Sequence, residues 1–450
     1  MEFYSNTLTP REQFEAERES QNWNDLEHLQ DVLKYYSGYF RQAAVERCEK
    51  LGLPGALPFV ASRLNDWVPQ VRQAARKAVL AMLDGASLSE QLATLVIVQS
   101  LRNAGRVDHG EWISEFELKF LSTIGKEDLW NAFKTGPRKQ SRTCFDLIRR
   151  HAFMPIEQLL EYGVGSRVDI VLAARSVEFA AQLDAPARSA VLKRGLDSHF
   201  GAVRRAALQL LLAQGEAGAM VNECLLDKHA TVRSLAMSHL ASRQFDLKDF
   251  YREALNPATS PAANIRIALL SLAALGSVED LDAIKAYTSA ASAGVRLAAY
   301  MGWLRLVPSE KDTLVLLAFA DVAPSIRKFA RMLLERYGAY ANFADLYRLL
   351  GPSDDLFKVI FMVRSHKWNW LEAIAMLARD TPLNSHVAAE LARELRSWIS
   401  SARWERHRPI GKQGEELSDP ATMAHLEALI AGESELIEQL RGHIALGTAN

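Results

Sequence analysis

The sequence predicts an all-α protein, an α-solenoid of stacked antiparallel helix pairs, and three observations carry that prediction. First, an apolar residue followed by arginine, with alanine two or three places on, recurs at near-constant spacing. The clear copies are Val71-Arg72-Gln73-Ala74-Ala75, Val203-Arg204-Arg205-Ala206-Ala207, Val232-Arg233-Ser234-Leu235-Ala236, Val295-Arg296-Leu297-Ala298-Ala299 and Ile326-Arg327-Lys328-Phe329-Ala330, with Phe40-Arg41-Gln42-Ala43-Ala44 and Ile265-Arg266-Ile267-Ala268 completing the set. The basic positions are 31 residues apart from 41 to 72, then 29 from 204 to 233, 33 to 266, 30 to 296 and 31 to 327. A fixed period of this size marks a chain that stacks one supersecondary unit on the next. Second, Val203, Ala206, Ala207, Leu210 and Leu211 fall at i, i+3, i+4, i+7 and i+8, one stripe of an amphipathic helix. Third, Gly52, Gly85, Gly215, Gly276 and Gly338 follow their basic residues by ten to thirteen positions, where that helix should end in a glycine cap.

The remaining elements follow from the same frame. Asp66, Asp197, Asp227 and Asp321 precede their arginines by six or seven residues, in the turn between the two helices. An aspartate there can cap the second helix, and it can pair with the arginine of its own or the next repeat, building a ladder along the stack. Between Arg142 and Arg204 lie 62 residues, two periods, and the missing unit reads as Ile170-Val171-Leu172-Ala173-Ala174 with Val171 in the arginine place. A further step of 31 beyond Arg327 reaches Phe357-Lys358-Val359-Ile360-Phe361. The stretch 88–133, with Trp112 and Trp130, is irregular: a distorted repeat or a bend. Thr9-Pro10-Arg11-Glu12 opens a polar helix with a capping box, and Ser418-Asp419-Pro420 opens a final helical pair. The expected organisation is therefore N-terminal capping helices over 1–36, a repeat solenoid over 37–400, and a linker with C-terminal capping helices over 401–450.

The Asp…Val-Arg-x-Ala-Ala core resembles the HEAT-repeat family, in particular the short, roughly 30-residue HEAT-like form found in many bacterial proteins. The resemblance covers about residues 37–400. It implies a right-handed superhelix whose second helices line a concave face, and it says little of activity, because such folds serve scaffolds, chaperones and a few enzymes.

Composition narrows the function classes. Charged residues make up 24% and hydrophobic ones 49%, which fits a folded chain, and the net charge of −1 disfavours a globally basic nucleic-acid binder. Cys48, Cys144 and Cys224 stand far apart without CxxC spacing, which suggests a reducing compartment. No signal peptide and no apolar run of transmembrane length is apparent, so a cytoplasmic protein without membrane contact is expected.

The non-core positions of the second helices are the expected binding surface. They read Leu208, Leu212, Met237, Ile267, Leu270, Leu297, Tyr300, Met301 and Leu304 in the central repeats, then become basic with Lys328 and Arg331. An exposed apolar strip of that length exceeds what a lone soluble chain usually tolerates. The expectation is a groove for a partner protein's helix or extended segment; the alternative is packing of the strip inside the protein. The structural ladder is assigned to Arg41, Arg72, Arg204, Arg233, Arg266, Arg296 and Arg327 with Asp66, Asp197, Asp227 and Asp321. A second basic run, Arg393, Arg396, Arg403, Arg406, Arg408 and Lys412 beside Trp398 and Trp404, has the arginine–aromatic character that grips phosphates.

Common catalytic signatures (HExxH, a Walker loop, GxGxxG, GxSxG) are missing, and no catalytic residue, cofactor or metal is assigned. Asp197-Ser198-His199 and Asp227-Lys228-His229 could hold a metal between neighbouring turns, but the ladder already accounts for both aspartates. The expected function is a non-enzymatic scaffold or adaptor. The alternative is a nucleic-acid-binding protein, or a HEAT-like DNA glycosylase for alkylated bases, using Arg72, Arg76, Arg204, Arg205, Arg327 and Arg331.

Overall fold

The computed structural model describes residues 10–341, 343–350, 367–401, 408–409 and 412–448. Among them every regular element is a helix. The chain forms two compact units, residues 1–236 and 237–450. Each is an all-α stack of antiparallel helix pairs.

In the first unit the Pro10–Ser20 helix packs on Gly38–Leu51, which lies beside Pro69–Met82. Further pairs are Lys126–Thr135 with Arg138–Arg150, Ile156–Val164 with Ile170–Ala180, and Ala185–Leu196 with Gly201–Ala213. Within the second helices the repeated stripe points inward: Val203, Ala207 and Leu211 are buried, as are Val71, Ala75 and Val79. Small residues let the pairs approach closely. A Cβ at Gly195 would lie 2.8 Å from Cβ of Ala207, so the glycine is required by the helix crossing. Gly195→Ala is expected to destabilise this unit by about 1–3 kcal/mol, the usual cost of overpacking. An unfolding midpoint unchanged in urea would refute that reading of the crossing.

Four of the five cap glycines end helices or turns in the left-handed region that favours glycine: φ is 55° at Gly52, 72° at Gly215, 71° at Gly276 and 58° at Gly338. Gly85 differs, because a 3₁₀ turn, Leu83–Gly85, continues its helix instead.

Two registers depart from expectation. In Ile170–Ala180, Val171 is exposed while Leu172, Ala173, Ser176, Val177 and Ala180 are buried. That stripe superposes on Val203, Arg204, Ala207, Leu208 and Leu211 at a step of 31, so Ala173 and not Val171 holds the arginine place. Alanines at 173 and 174 made either frame plausible. The irregular stretch 88–133 contains two long helices, Leu88–Ser100 and Gly110–Thr123, before Lys126–Thr135 begins the next pair. Trp112, Ile113, Phe116, Glu117 and Phe120 form the buried stripe there, and Ile113 stands 29 residues before Arg142. The region is a full repeat that has lost its arginine and gained the long connection 101–109.

In the second unit Leu247–Glu253 pairs with Ala262–Ala274, Leu281–Ala286 with Ala293–Leu306, and Lys311–Phe319 with Pro324–Tyr337. Lys367–Arg379 packs on His386–Ser401, and the final helices Gln413–Ser418, Pro420–Leu429 and Ser434–Thr448 cover that pair. Leu417, Leu426, Ile430, Leu440 and Ile444 enter one core with Trp368, Trp370 and Trp398, because the last repeat's apolar side has no further repeat to bury it. The Phe357–Phe361 copy lies outside the described residues.

Candidate functional site

The second helices place the predicted strip unevenly. Leu208, Ile267, Tyr300 and Leu304 are buried. Leu212, Met237, Leu270, Leu297 and Arg331 are half-buried, and only Met301 and Lys328 are exposed. The reason is the tight side-by-side packing of successive second helices. In the second unit Ala262–Ala274 lies against Ala293–Leu306, which in turn meets Pro324–Tyr337. Positions one, four and eight after the basic residue face that contact: the Tyr300 and Phe329 rings sit 6.3 Å apart. Periodicity identifies a helix face but not what covers it. What stays accessible in the second unit is a narrower row, Leu270 and Leu297 at its floor, Met301 at its crest and Lys328 with Arg331 at its basic end.

The ladder is explicit. Arg41 donates through Nε and Nη2 to the two carboxylate oxygens of Asp66 at 2.9 and 2.8 Å. Arg142 does the same to Asp169 at 2.7 Å each, Arg204 to Asp227 at 2.6 and 2.7 Å, and Arg296 to Asp321 at 2.7 and 2.8 Å. These are forked, charge-assisted pairs, the strong form of the interaction. Each aspartate side chain takes the arginine of the preceding repeat, a direction the sequence left open. Its backbone carbonyl meanwhile accepts from its own repeat's arginine: Arg72 Nη1 to Asp66 O at 2.7 Å, Arg233 to Asp227 O at 2.8 Å, Arg327 to Asp321 O at 3.0 Å. The carboxylate also receives a backbone N–H two residues on, from Val68, His229 or Ala323. One residue thus braces two repeats and starts a helix. The Arg142 fork holds the Asp169 carboxyl below the usual carboxylate range, and the Arg296 fork does so for Asp321. At Asp227 burial pushes the carboxyl up, but the Arg204 fork and the His229 N–H outweigh it and leave it lowered.

Two ladder assignments need correction. Asp197 is exposed and makes no ion pair among the described residues. Ser198 occupies the equivalent place, six before Arg204, its carbonyl accepting from Arg204 Nη1 at 2.8 Å. It faces a repeat in which Ala173 replaces arginine, so neither half of that pair is present. Arg266 is exposed, because Ala290 stands six before Arg296 where an aspartate would receive it.

Other candidates disperse. Of the arginines suited to nucleic acid, Arg204 is buried in its fork, Arg72 and Arg327 bind turn carbonyls, and Arg76 lies 3.1 Å from His109 Nδ1 and over the Trp112 ring; Arg205 is exposed. In the C-terminal run Trp398 is a core residue whose Nε1 donates to Lys367 O, Arg393 pairs with Glu390, Arg396 with Glu433, and Arg408 with the carbonyls of Leu446 and Gly447. Lys412 is exposed, and Arg403, Trp404 and Arg406 lie outside the described residues. His229 bonds Thr231, and no group of three or more His, Cys, Asp or Glu among the described residues is arranged to hold a metal. Burial pushes the thiols of Cys48 and Cys224 up to about 11 and that of Cys144 to about 12, which removes them as nucleophiles. No described helix is long and apolar enough to cross a membrane.

One cluster has no sequence signature. Glu117, buried on Gly110–Thr123, accepts from Arg102 Nη2 at 2.8 Å and Gln99 Nε2 at 2.5 Å, and lies 2.7 Å from His151 Nε2 and 3.1 Å from Arg150. Burial pushes its carboxyl up, and these bonds together pull it below the ordinary glutamate range.

No protein-family profile and no curated protein matches the chain. Among solved structures it is similar to a chain from a study of tubulin recruitment and assembly by microtubule polymerases with Tumor Overexpressed Gene (TOG) domain arrays, at 10% identity over 98% of this chain and 97% of that one, with a TM-score of 0.20. The fold assignment rests on the chain's own helix pairs.

Proposed function

We propose that the protein is a non-enzymatic scaffold or adaptor, related in design to short HEAT-like repeats, that captures a helix or extended segment of a partner protein. The accessible row on the second helices of the second unit is the surface, and the observation that carries the reading is Met301. It is a flexible, polarizable side chain 43% exposed, above half-buried Leu270 and Leu297 and beside cationic Lys328. A segment with apolar residues flanked by acidic ones complements such a row. The buried, unpaired cysteines accord with a reducing compartment such as the cytoplasm. The nucleic-acid reading takes no support from Arg72, Arg204 and Arg327, which the ladder occupies.

The test is affinity capture from the native host at low and high salt with wild type and Met301→Asp. A protein retained at high salt, lost with Met301→Asp while the helical content and melting curve stay unchanged, is the expected result. Nucleic acid that elutes with salt and ignores Met301 would overturn it, since counterion release makes such binding fall steeply with salt.

A further inference from the structure

A cleft of about 250 Å³ opens in the first unit where the turns of two neighbouring helix pairs meet. Four cationic side chains from four separate places in the chain line it: Lys134 in the last turn of Lys126–Thr135, Arg138 at the start of Arg138–Arg150, Arg167 in the turn before Asp169, and Arg194 in the last turn of Ala185–Leu196. None has a carboxylate partner among the described residues. The one carboxylate in the lining, Asp169, is consumed by the Arg142 fork and by the backbone N–H groups of Val171 and Leu172. Apolar walls from Phe133 and Leu172 border the charges, and low-dielectric walls focus a field of one sign. Gly165 adds an independent observation. Its φ of −73° suits any residue, so the backbone does not call for glycine. A Cβ there would lie 3.3 Å from Arg194 Nη2 and 3.4 Å from its Nε, so the missing side chain is what lets that guanidinium lie against the turn.

We propose that this cleft binds a diphosphate group. Four like charges gathered without a counter-charge suit a compact anion carrying several negative charges, and arginine forks match phosphate oxygens in geometry. The group could come as free pyrophosphate or on a nucleoside diphosphate. The Tyr162 ring, 40% exposed on the rim, gives a base a face to stack on.

The experiment is isothermal titration of the full chain with pyrophosphate, ADP, AMP and hexaglutamate at matched ionic strength, repeated with Arg167→Ala, Arg194→Ala and Gly165→Leu. Saturable one-to-one binding of pyrophosphate is expected, weakened roughly tenfold or more by each arginine variant, as for a lost charge-assisted bond. Gly165→Leu should weaken it as well by displacing Arg194. These side chains are exposed, so unchanged melting curves exclude misfolding as the cause. ADP binding more tightly than pyrophosphate, with the gain lost in Tyr162→Ala, would assign the nucleotide source; equal affinities would assign the free anion. No saturable pyrophosphate binding, binding indifferent to Arg167 and Arg194, or equally tight hexaglutamate would each overturn the proposal.

Discussion

Asp66→Ala destabilises the first unit by about 3–5 kcal/mol, the cost of removing one partner from a buried ion pair. The Arg41 and Asp66 side chains are only 3% and 2% exposed, so the guanidinium left behind cannot turn to water without opening the repeat. The substitution also removes the acceptor for the Val68 N–H and the partner of Arg63. Hydrogen exchange over Gly38–Leu51 and Pro69–Met82 reads the loss locally, which suits a chain of two units better than one global midpoint. Asp197→Ala is the control, expected within about 0.5 kcal/mol of wild type as an exposed substitution. Adding Arg41→Leu to Asp66→Ala should restore much of the loss, because it removes the stranded charge. Equal effects at Asp66 and Asp197 would show that the ladder is ornamental.

Glu117→Ala is the second large effect, about 3 kcal/mol, at the low end of the same range because Arg102, Arg150 and His151 each keep some contact with water. Its pH dependence has a definite sign. The folded pKa is lowered, so in acid the unfolded chain takes up the proton first. The stabilisation is complete above the unfolded glutamate value of about 4.3 and is lost as pH falls through the folded one. Asp169, Asp227 and Asp321 are lowered as well and act in the same direction, from about 3.9 downward. Stability measured in urea should therefore be flat from neutral pH to about 5 and then fall, and Glu117→Gln should make the fall shallower. A parallel fall in wild type and Glu117→Gln would remove Glu117 from the account.

The forks at Arg41, Arg204 and Arg296 were legible because one period fixes both arginine and aspartate, and an Asp six before an Arg is visible by eye. Their direction was not, since a turn residue can reach either neighbour at similar cost. Ala173 was misplaced because consecutive alanines satisfy two frames, and Ile113 was hidden because the 101–109 connection shifts the phase of everything before Arg142. Glu117 gathers partners 15, 18 and 34 residues away on three different segments, a pattern no local motif encodes. The cleft at Arg167 was missed for a related reason: its four cations become neighbours only once helix pairs stack. For the strip, burial at Tyr300 and Ile267 depends on how closely adjacent helices approach, which the small residues permit but do not announce.

Arg266 shows what a gap in the ladder does to the protein's exterior. A repeat arginine that meets an aspartate becomes an internal brace, whereas the same residue facing Ala290 becomes a free-standing positive charge in water. The electrostatic map of the surface is thus partly drawn by omission: one aspartate, present or absent, decides whether a cation some 25 residues earlier is hidden or displayed. Loss of both partners, as at Ala173 and Ser198, leaves that spot neutral. A chain with this repeat can vary its outward charge at a site without touching the residue that carries it.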